Sequence, residues 1–289
     1  MVDFDSARIY CSTITLRHLP LEQALAEIAD AGFQGIDLGA LPGVCDHVPM
    51  ALTSDAVASV AATVAASGLI VRSVNADIGD LNVPIDATAR VARLDHLARL
   101  LELSVAIGAR GLVLPNGWLD NAPRDDEAVD YARVAAELVD VDERARYHGI
   151  QLWVEAPHLH RLVHDVDGAE RLFALLPDTI GAVCDVSHIV ASGGDPADFL
   201  ARLGSRTRHV HLRDASAGYI HHSIGNGDVD FAATFAALRL AEYAGVLALE
   251  LETRDVADAD RIEAARQAAR VVTDLWAASG APTIRKAHV

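Results

Sequence analysis

Short apolar runs alternate with longer amphipathic segments eight times along the 289 residues, and this alternation restricts the fold more than any other feature. The runs that read as strands cover residues 8–16, 34–39, 69–75, 111–115, 151–155, 180–185, 208–212 and 246–252. The segments with helical character cover residues 20–31, 53–67, 86–107, 124–148, 165–176, 196–203, 231–243 and 257–279. This order predicts an α/β protein with the (β/α)8 TIM-barrel architecture. We expect residues 1–289 to form a single TIM-barrel domain, with a frayed end from about Ala281.

Composition excludes several classes of function. The formal net charge is −17, from 24 Lys and Arg against 41 Asp and Glu, so we expect no nucleic-acid partner and no anionic membrane partner. The N-terminal stretch lacks the pattern of a signal peptide, and no apolar run approaches the ~20 residues of a membrane span. The three cysteines form no CxxC pair, which is typical of reduced thiols. These features predict a soluble, cytoplasmic protein.

Four of the predicted strands end in side chains that bind metals. They are Glu155, Asp185, His211 and Glu250. Because the carboxyl ends of parallel strands converge at one rim of a barrel, we expect these four groups to meet there. Three carboxylates and one imidazole suit a divalent ion of intermediate hardness, and we predict Mn²⁺ first, with Co²⁺ or Mg²⁺ as alternatives.

Other interpretations of these residues stay open at this stage. Asp185 taken alone is more typical of a helix-capping carboxylate. Glu252 shares the inward phase of Glu250 and competes with it as a ligand. His209 lies deeper on its strand than His211, so we expect a buried, hydrogen-bonded histidine there. We expect His96, like His18 and His148, to lie on the surface.

The sequence resembles the xylose isomerase-like TIM barrels, the broad sugar phosphate isomerase/epimerase group that includes inosose dehydratases. The motifs that carry the resemblance are CDVSH at 184–188, HVHLRD at 209–214, IGNGDVDF at 224–231 and GVLALE at 245–250. The resemblance implies one metal centre on the same four residues, substrate contacts from His188 and Arg213, and a homo-oligomer. It disfavours the DNA-repair branch, whose extra metal-binding histidines are replaced here by Asn75 and the His-free VLPNG segment. Strand two ends in Asp37, where relatives commonly carry Glu.

These expectations converge on a divalent-metal-dependent isomerase or epimerase of a small sugar, keto-sugar or inositol-like polyol. Glu155 and Glu250 are the predicted catalytic acid and base, which move a proton through a metal-stabilised enediolate. The predicted substrate contacts are His188, Arg213, His221, Asn75, Glu252 and His158. The alternative is a lyase with the same centre, by inosose-type dehydration or β-elimination from a 3-keto-glycoside. A non-catalytic sugar-binding barrel is the third hypothesis.

Overall fold

Eight parallel strands close into a barrel in the computed structural model, which describes residues 3–280. The strands are β1 (Ile9–Ser12), β2 (Gly35–Ala40), β3 (Ile70–Ala76), β4 (Gly111–Pro115), β5 (Gln151–Glu155), β6 (Gly181–Asp185), β7 (Thr207–Leu212) and β10 (Leu247–Leu249). The two strands between β7 and β10, β8 (Asp214–Ser216) and β9 (Tyr219–His222), form a separate hairpin outside the barrel. Neighbouring strands pair in chain order, and β10 closes the barrel by pairing with both β7 and β1. The predicted (β/α)8 barrel is confirmed, while the expected frayed end from Ala281 lies outside the described residues.

Helices surround the barrel, most of them between consecutive strands. They are α1 (Leu21–Asp30), α2 (Ser54–Ser67), α3 (Ala87–Ala106), α4 (Glu127–Tyr147), α5 (Val166–Ala174), α6 (Val186–Ala191), α7 (Pro196–Leu203), α8 (Phe231–Leu240) and α9 (Arg261–Ser279). The helices begin close to the positions predicted from the sequence, because capping side chains accept hydrogen bonds from free N–H groups of the first turn. Thr53, Asp86 and Asp165 each cap a helix in this way. No helix in residues 3–280 has the length and apolar character needed to cross a membrane.

Trp153 fills the interior of the barrel below the rim. Its side chain is 1% exposed and stacks on His209, with 5.2 Å between the ring centroids. Glycines on the neighbouring strands make room for the indole: a Cβ atom would lie 2.6 Å from its ring at Gly111 and 2.8 Å at Gly181. Glu155 follows Trp153 by two residues and therefore points to the same interior, one layer nearer the rim.

The structure corrects three local predictions. The first strand ends at Ser12, and Thr13–Leu16 forms a 3₁₀ helix where a continuous strand to Leu16 was expected. A short helix, α6, follows β6 directly, and the segment after β7 contains an antiparallel hairpin of β8 (Asp214–Ser216) and β9 (Tyr219–His222). The Asp214 carboxylate orders the loop that follows this hairpin by accepting hydrogen bonds from the backbone of Gly225 and Val229, and it also accepts one from the backbone of Ala215 in β8.

Candidate metal centre

The four predicted ligands meet at the carboxyl-terminal rim of the barrel. One oxygen or nitrogen atom from each of Glu155, Asp185, His211 and Glu250 lies within 4.8 Å of the others, and all four residues are buried. The Nδ1 atom of His211 is 3.3 Å from a Glu155 oxygen, 3.6 Å from a Glu250 oxygen and 3.8 Å from an Asp185 oxygen. His211 therefore directs Nδ1 toward a point that three carboxylates surround.

The two carboxylate oxygens of Asp185 have different surroundings. Oδ1 accepts hydrogen bonds from the backbone N–H groups of Ser187 and His188 and from the Ser187 hydroxyl, so it caps α6. Oδ2 is buried and has no hydrogen-bond partner among the described residues. A buried carboxylate oxygen without a partner is costly, and a cation would satisfy it. The capping interpretation of Asp185 is thus compatible with ligation.

The electrostatics of the cluster also fit a cation. Burial raises the pKa of Glu250 to about 8, and burial likewise raises the pKa of Glu155. Burial acts to lower the pKa of His211, but the charge of Glu250 and the nearby Asp37 and Glu155 oxygens outweigh it and raise that pKa well above its usual range. Without a metal, protons offset the crowded negative charge. The donor set of three carboxylates and one imidazole suits a divalent ion.

Asp37 supports His211 from behind, a role that the sequence did not predict. Its Oδ2 atom is 3.4 Å from Nε2 of His211, and neither atom has a hydrogen-bond partner elsewhere in the described structure. The Ser73 hydroxyl donates to Oδ1 of Asp37 at 2.5 Å. A carboxylate behind a metal-binding imidazole fixes its tautomer and orientation. The position of Asp37 near the end of the second strand was the signal available in the sequence.

His209 matches its expected role. It is fully buried, and its Nε2 atom lies 3.3 Å from the Ser73 hydroxyl. It is therefore a core histidine that packs on Trp153.

Two stacked histidines present donors next to the cluster. The rings of His158 and His188 lie 3.9 Å apart between centroids. Nδ1 of His188 accepts a hydrogen bond from the Leu159 backbone, and Nδ1 of His158 accepts one from the His160 backbone. Burial holds the pKa of both imidazoles well below the usual range, so each ring is neutral and carries its proton on Nε2. Both rings line the cavity above the cluster.

The other predicted substrate contacts also line this cavity, but several already have protein partners. Asn75 donates a hydrogen bond to Glu250 at 2.9 Å. Glu252 pairs with Arg17 at 2.6 Å and with Arg213 at 3.4 Å, so its charge is balanced by two guanidinium groups. His221 contacts the backbone carbonyl of Glu252 through Nδ1 at 2.9 Å. The structure therefore brings Glu250, not Glu252, to the ligand cluster.

Arg213 is held beside the cluster by Ser187, to which it donates two hydrogen bonds, at 3.0 and 3.2 Å. Its guanidinium lies 3.9 Å from Glu250 and is almost completely buried. A fixed positive charge therefore borders the carboxylates on the cavity side.

His96 contradicts its predicted surface position. It is half-buried on α3, lines the cavity, and has a buried Nε2 atom without a hydrogen-bond partner in the described structure. Burial lowers its pKa, so the ring is neutral. The helical periodicity of α3 does not indicate that the face with His96 borders the barrel mouth. The position of His96 in the cavity could therefore not be predicted from the sequence.

The family model for xylose isomerase-like TIM barrels matches residues 25–275. An inosose dehydratase of Lacticaseibacillus casei is 28% identical over 192 residues, which cover 56% of this chain and 64% of that protein. The rhizopine catabolism protein MocC of Rhizobium meliloti is 26% identical over 276 residues, which cover 81% of this chain and 75% of that protein. The chain thus spans about 64% of the length of the inosose dehydratase that it matches.

Solved structures share the fold at lower identity. L-ribulose 3-epimerase superposes with a TM-score of 0.75 and 21% identity, covering 94% of this chain and 95% of that one. The 3-keto-D-glucoside 4-epimerase of E. coli gives a TM-score of 0.73 and 19% identity, covering 92% of this chain and 98% of that one. IolI, crystallised with a zinc atom, gives 0.73 and 17%, covering 93% and 99%.

Proposed function

The chain belongs to the xylose isomerase-like TIM barrel family, and on this premise we propose that it is a divalent-metal-dependent isomerase or epimerase. Its substrate would be a small sugar, keto-sugar or inositol-like polyol. The observation that carries the proposal is the meeting of Glu155, Asp185, His211 and Glu250 within 4.8 Å. This cluster offers metal ligands and two potential proton carriers in one place.

The same four residues would hold the cation, and we propose Mn²⁺ first, with Co²⁺ or Mg²⁺ as alternatives. When bound, the ion would polarise a substrate carbonyl and make the neighbouring C–H bond more acidic. Asp37 keeps His211 oriented for this task, as its 3.4 Å approach to Nε2 indicates.

Glu155 and Glu250 would move the proton. They come from the ends of β5 and β10, so they reach the cavity from different positions on the rim. One glutamate removes a proton from the carbon beside the carbonyl, and the other returns a proton to the opposite face of that carbon, which gives epimerisation. Return of the proton to the adjacent carbon gives isomerisation. Before metal binding, burial raises the pKa of Glu250 to about 8, so a proton and the cation would compete for this carboxylate.

The residues that border the cavity would orient the substrate. His158 and His188 offer two neutral N–H donors to hydroxyl or carbonyl oxygens. Arg213 places a positive charge beside the oxygen on which negative charge develops during proton removal. Contacts from His221, Asn75 and Glu252 remain part of the proposal, with Asn75 acting mainly through its hydrogen bond to Glu250.

A lyase with the same centre is the second candidate, because the curated relatives include an inosose dehydratase. Removal of the same proton followed by loss of a β-hydroxyl gives dehydration. Loss of the glycosidic oxygen substituent from a 3-keto-glycoside gives β-elimination. Cytoplasmic location and homo-oligomer formation stay predictions.

Deuterium exchange tests the proposal and separates the two reactions. The Mn²⁺-loaded protein is incubated in D₂O with ketoses, inososes and 3-keto-glycosides, and proton spectra are followed by NMR. We expect metal-dependent deuterium uptake at the carbon beside the carbonyl, without new ultraviolet absorption for an isomerase and with it for a lyase.

Two variants sharpen the test. Glu250→Gln keeps the size of the side chain and should abolish exchange, whereas Glu137→Gln should not, since Glu137 pairs with Arg90 on the outer helices. Full exchange in the metal-free protein, or binding of these sugars with no exchange in any of them, would contradict the proposal. The second result would favour the sugar-binding barrel.

A further inference from the structure

The cavity above the candidate metal centre has two chemically different sides. Polar and charged residues at or after the ends of β5, β6, β7 and β10 form one side, among them the candidate ligands Glu155 and Glu250 together with His158, His188 and Arg213. The loops after β2, β3 and β4 form the other side with aliphatic side chains. We call this second side the apolar wall, and it consists of Leu41, Val44, Met50, Ile78 and Leu119.

Three of the five side chains of the apolar wall are exposed to solvent in this structure. Leu119 is 68% exposed, Met50 is 61% exposed and Val44 is 41% exposed. Exposed apolar side chains that line one cavity are typical of a surface that a ligand covers. A sugar ring with hydroxyl groups on most of its carbons would leave such a surface poorly matched.

The size of the cavity agrees with a larger ligand. Its volume is about 760 Å³. Pockets of roughly 300–1,000 Å³ enclose drug-sized ligands, so this one holds more than a single sugar ring. A sugar bound between Glu155 and Glu250 would leave the β2–β4 side of the cavity for another part of the same molecule.

Polar groups beside the apolar wall indicate the character of that part. Arg93 is bound to the Asp80 carbonyl at 3.0 Å and lies 3.5 Å from Glu137, so its charge is already matched and does not favour a phosphate. The His96 ring lines the same cavity, but its Nε2 atom is buried and therefore closed to a ligand. An uncharged apolar group fits this side of the cavity better than a phosphate.

We infer that the substrate is an aryl-substituted sugar whose sugar ring lies at the candidate metal centre and whose aromatic group packs on the apolar wall. This inference rests on the proposed function for the position of the sugar ring, and it narrows the substrate class to keto sugars that carry an aryl group, such as the keto forms of aryl glycosides.

Ligand binding tests the inference without requiring turnover. The Mn²⁺-loaded protein is titrated by calorimetry with methyl and phenyl β-D-glucopyranoside. We expect the phenyl glucoside to bind about tenfold more tightly than the methyl glucoside, because the ring buries apolar area on the wall.

A matched pair of variants identifies the surface. Leu119→Asp should reduce the preference for phenyl over methyl to about twofold or less. Val91→Asp should retain it, since Val91 is 67% exposed, almost the same as Leu119, but lies on α3 outside the cavity lining.

Equal affinity for the methyl and phenyl glucosides in the wild-type protein would overturn the inference. So would a preference that Leu119→Asp leaves intact, or an oligomer that Leu119→Asp converts to monomers in light scattering, because the wall would then belong to a subunit contact. A phenyl preference without metal-dependent deuterium exchange refutes the proposed function and leaves the aryl site. Metal-dependent deuterium exchange without a phenyl preference refutes the aryl site and leaves the proposed function.

Discussion

The carboxylate of Asp37 provides the sharpest test of how the barrel prepares its candidate metal centre. Asp37→Asn keeps the shape of the side chain and removes its charge from the back of His211. At the observed separation of 3.4 Å, two full charges attract by about 5 kcal/mol at an effective dielectric constant of 20. The net effect is smaller, because the amide oxygen can still accept from His211 and the variant no longer buries an anion. Loss of such a supporting group typically lowers metal affinity 10–100-fold, or about 1.4–2.7 kcal/mol.

Calorimetric titration of the apo-protein with Mn²⁺ and Zn²⁺ measures this effect directly. Asp130→Asn is the matched control: Asp130 is also fully buried, but on α4, where it accepts hydrogen bonds from Asn82 and Arg124. We expect the control to bind metal with wild-type affinity. Circular dichroism melts show whether both variants fold. A folded Asp37→Asn protein with unchanged affinity for both ions would refute the supporting role of Asp37.

Four further predictions concern the same region. Metal affinity should rise with pH up to about 8, because the cation competes with the proton that burial keeps on Glu250 by raising its pKa to about 8; Mn²⁺ affinities that stay level from pH 5 to pH 9 would contradict this. The folding stability of the apo-protein should change with pH in the opposite direction. Protonated Glu250 stabilises the fold fully below its unfolded pKa near 4.5, and this contribution is lost as the pH rises through the folded pKa of about 8. Asp185→Ala should abolish metal binding and also cost about 0.5–2 kcal/mol of stability as a lost helix cap, whereas a variant that still binds Mn²⁺ tightly would exclude Asp185 as a ligand. Trp153→Ala should lower the free energy of unfolding by about 3–5 kcal/mol in urea titrations, and a loss below 1 kcal/mol would mean that the interior collapses around the smaller side chain.

The barrel and the candidate ligands were predictable because both depend on local order in the sequence. A strand places alternate side chains on one face, so Glu155 shares the interior face with Trp153 two residues earlier. Parallel pairing then brings strand ends together, as the direct pairing of Asp185 with His211 across β6 and β7 illustrates. Neither step requires knowledge of how the loops fold.

The remaining features depend on contacts between distant parts of the chain. The link from Asp37 to His211 joins residues from β2 and β7, which face each other across the barrel interior. The pairing of Glu252 with Arg17 and Arg213 depends on where the loops after β1, β7 and β10 come to rest. The β8–β9 hairpin and the loop after it were not predicted, because the hydrogen bonds that Asp214 accepts from Gly225 and Val229, rather than an apolar pattern, hold this segment together.

The filled floor of the barrel has a kinetic consequence. The indole of Trp153, with Gly111 and Gly181 pressed against it, blocks the interior beneath the candidate ligands, so molecules reach them from the loop side. Substrate and product then enter and leave through the same opening, and a bound product occupies the site that the next substrate needs. Inhibition by the product should accordingly be competitive, with an apparent KM that rises as product accumulates while the maximal rate stays constant.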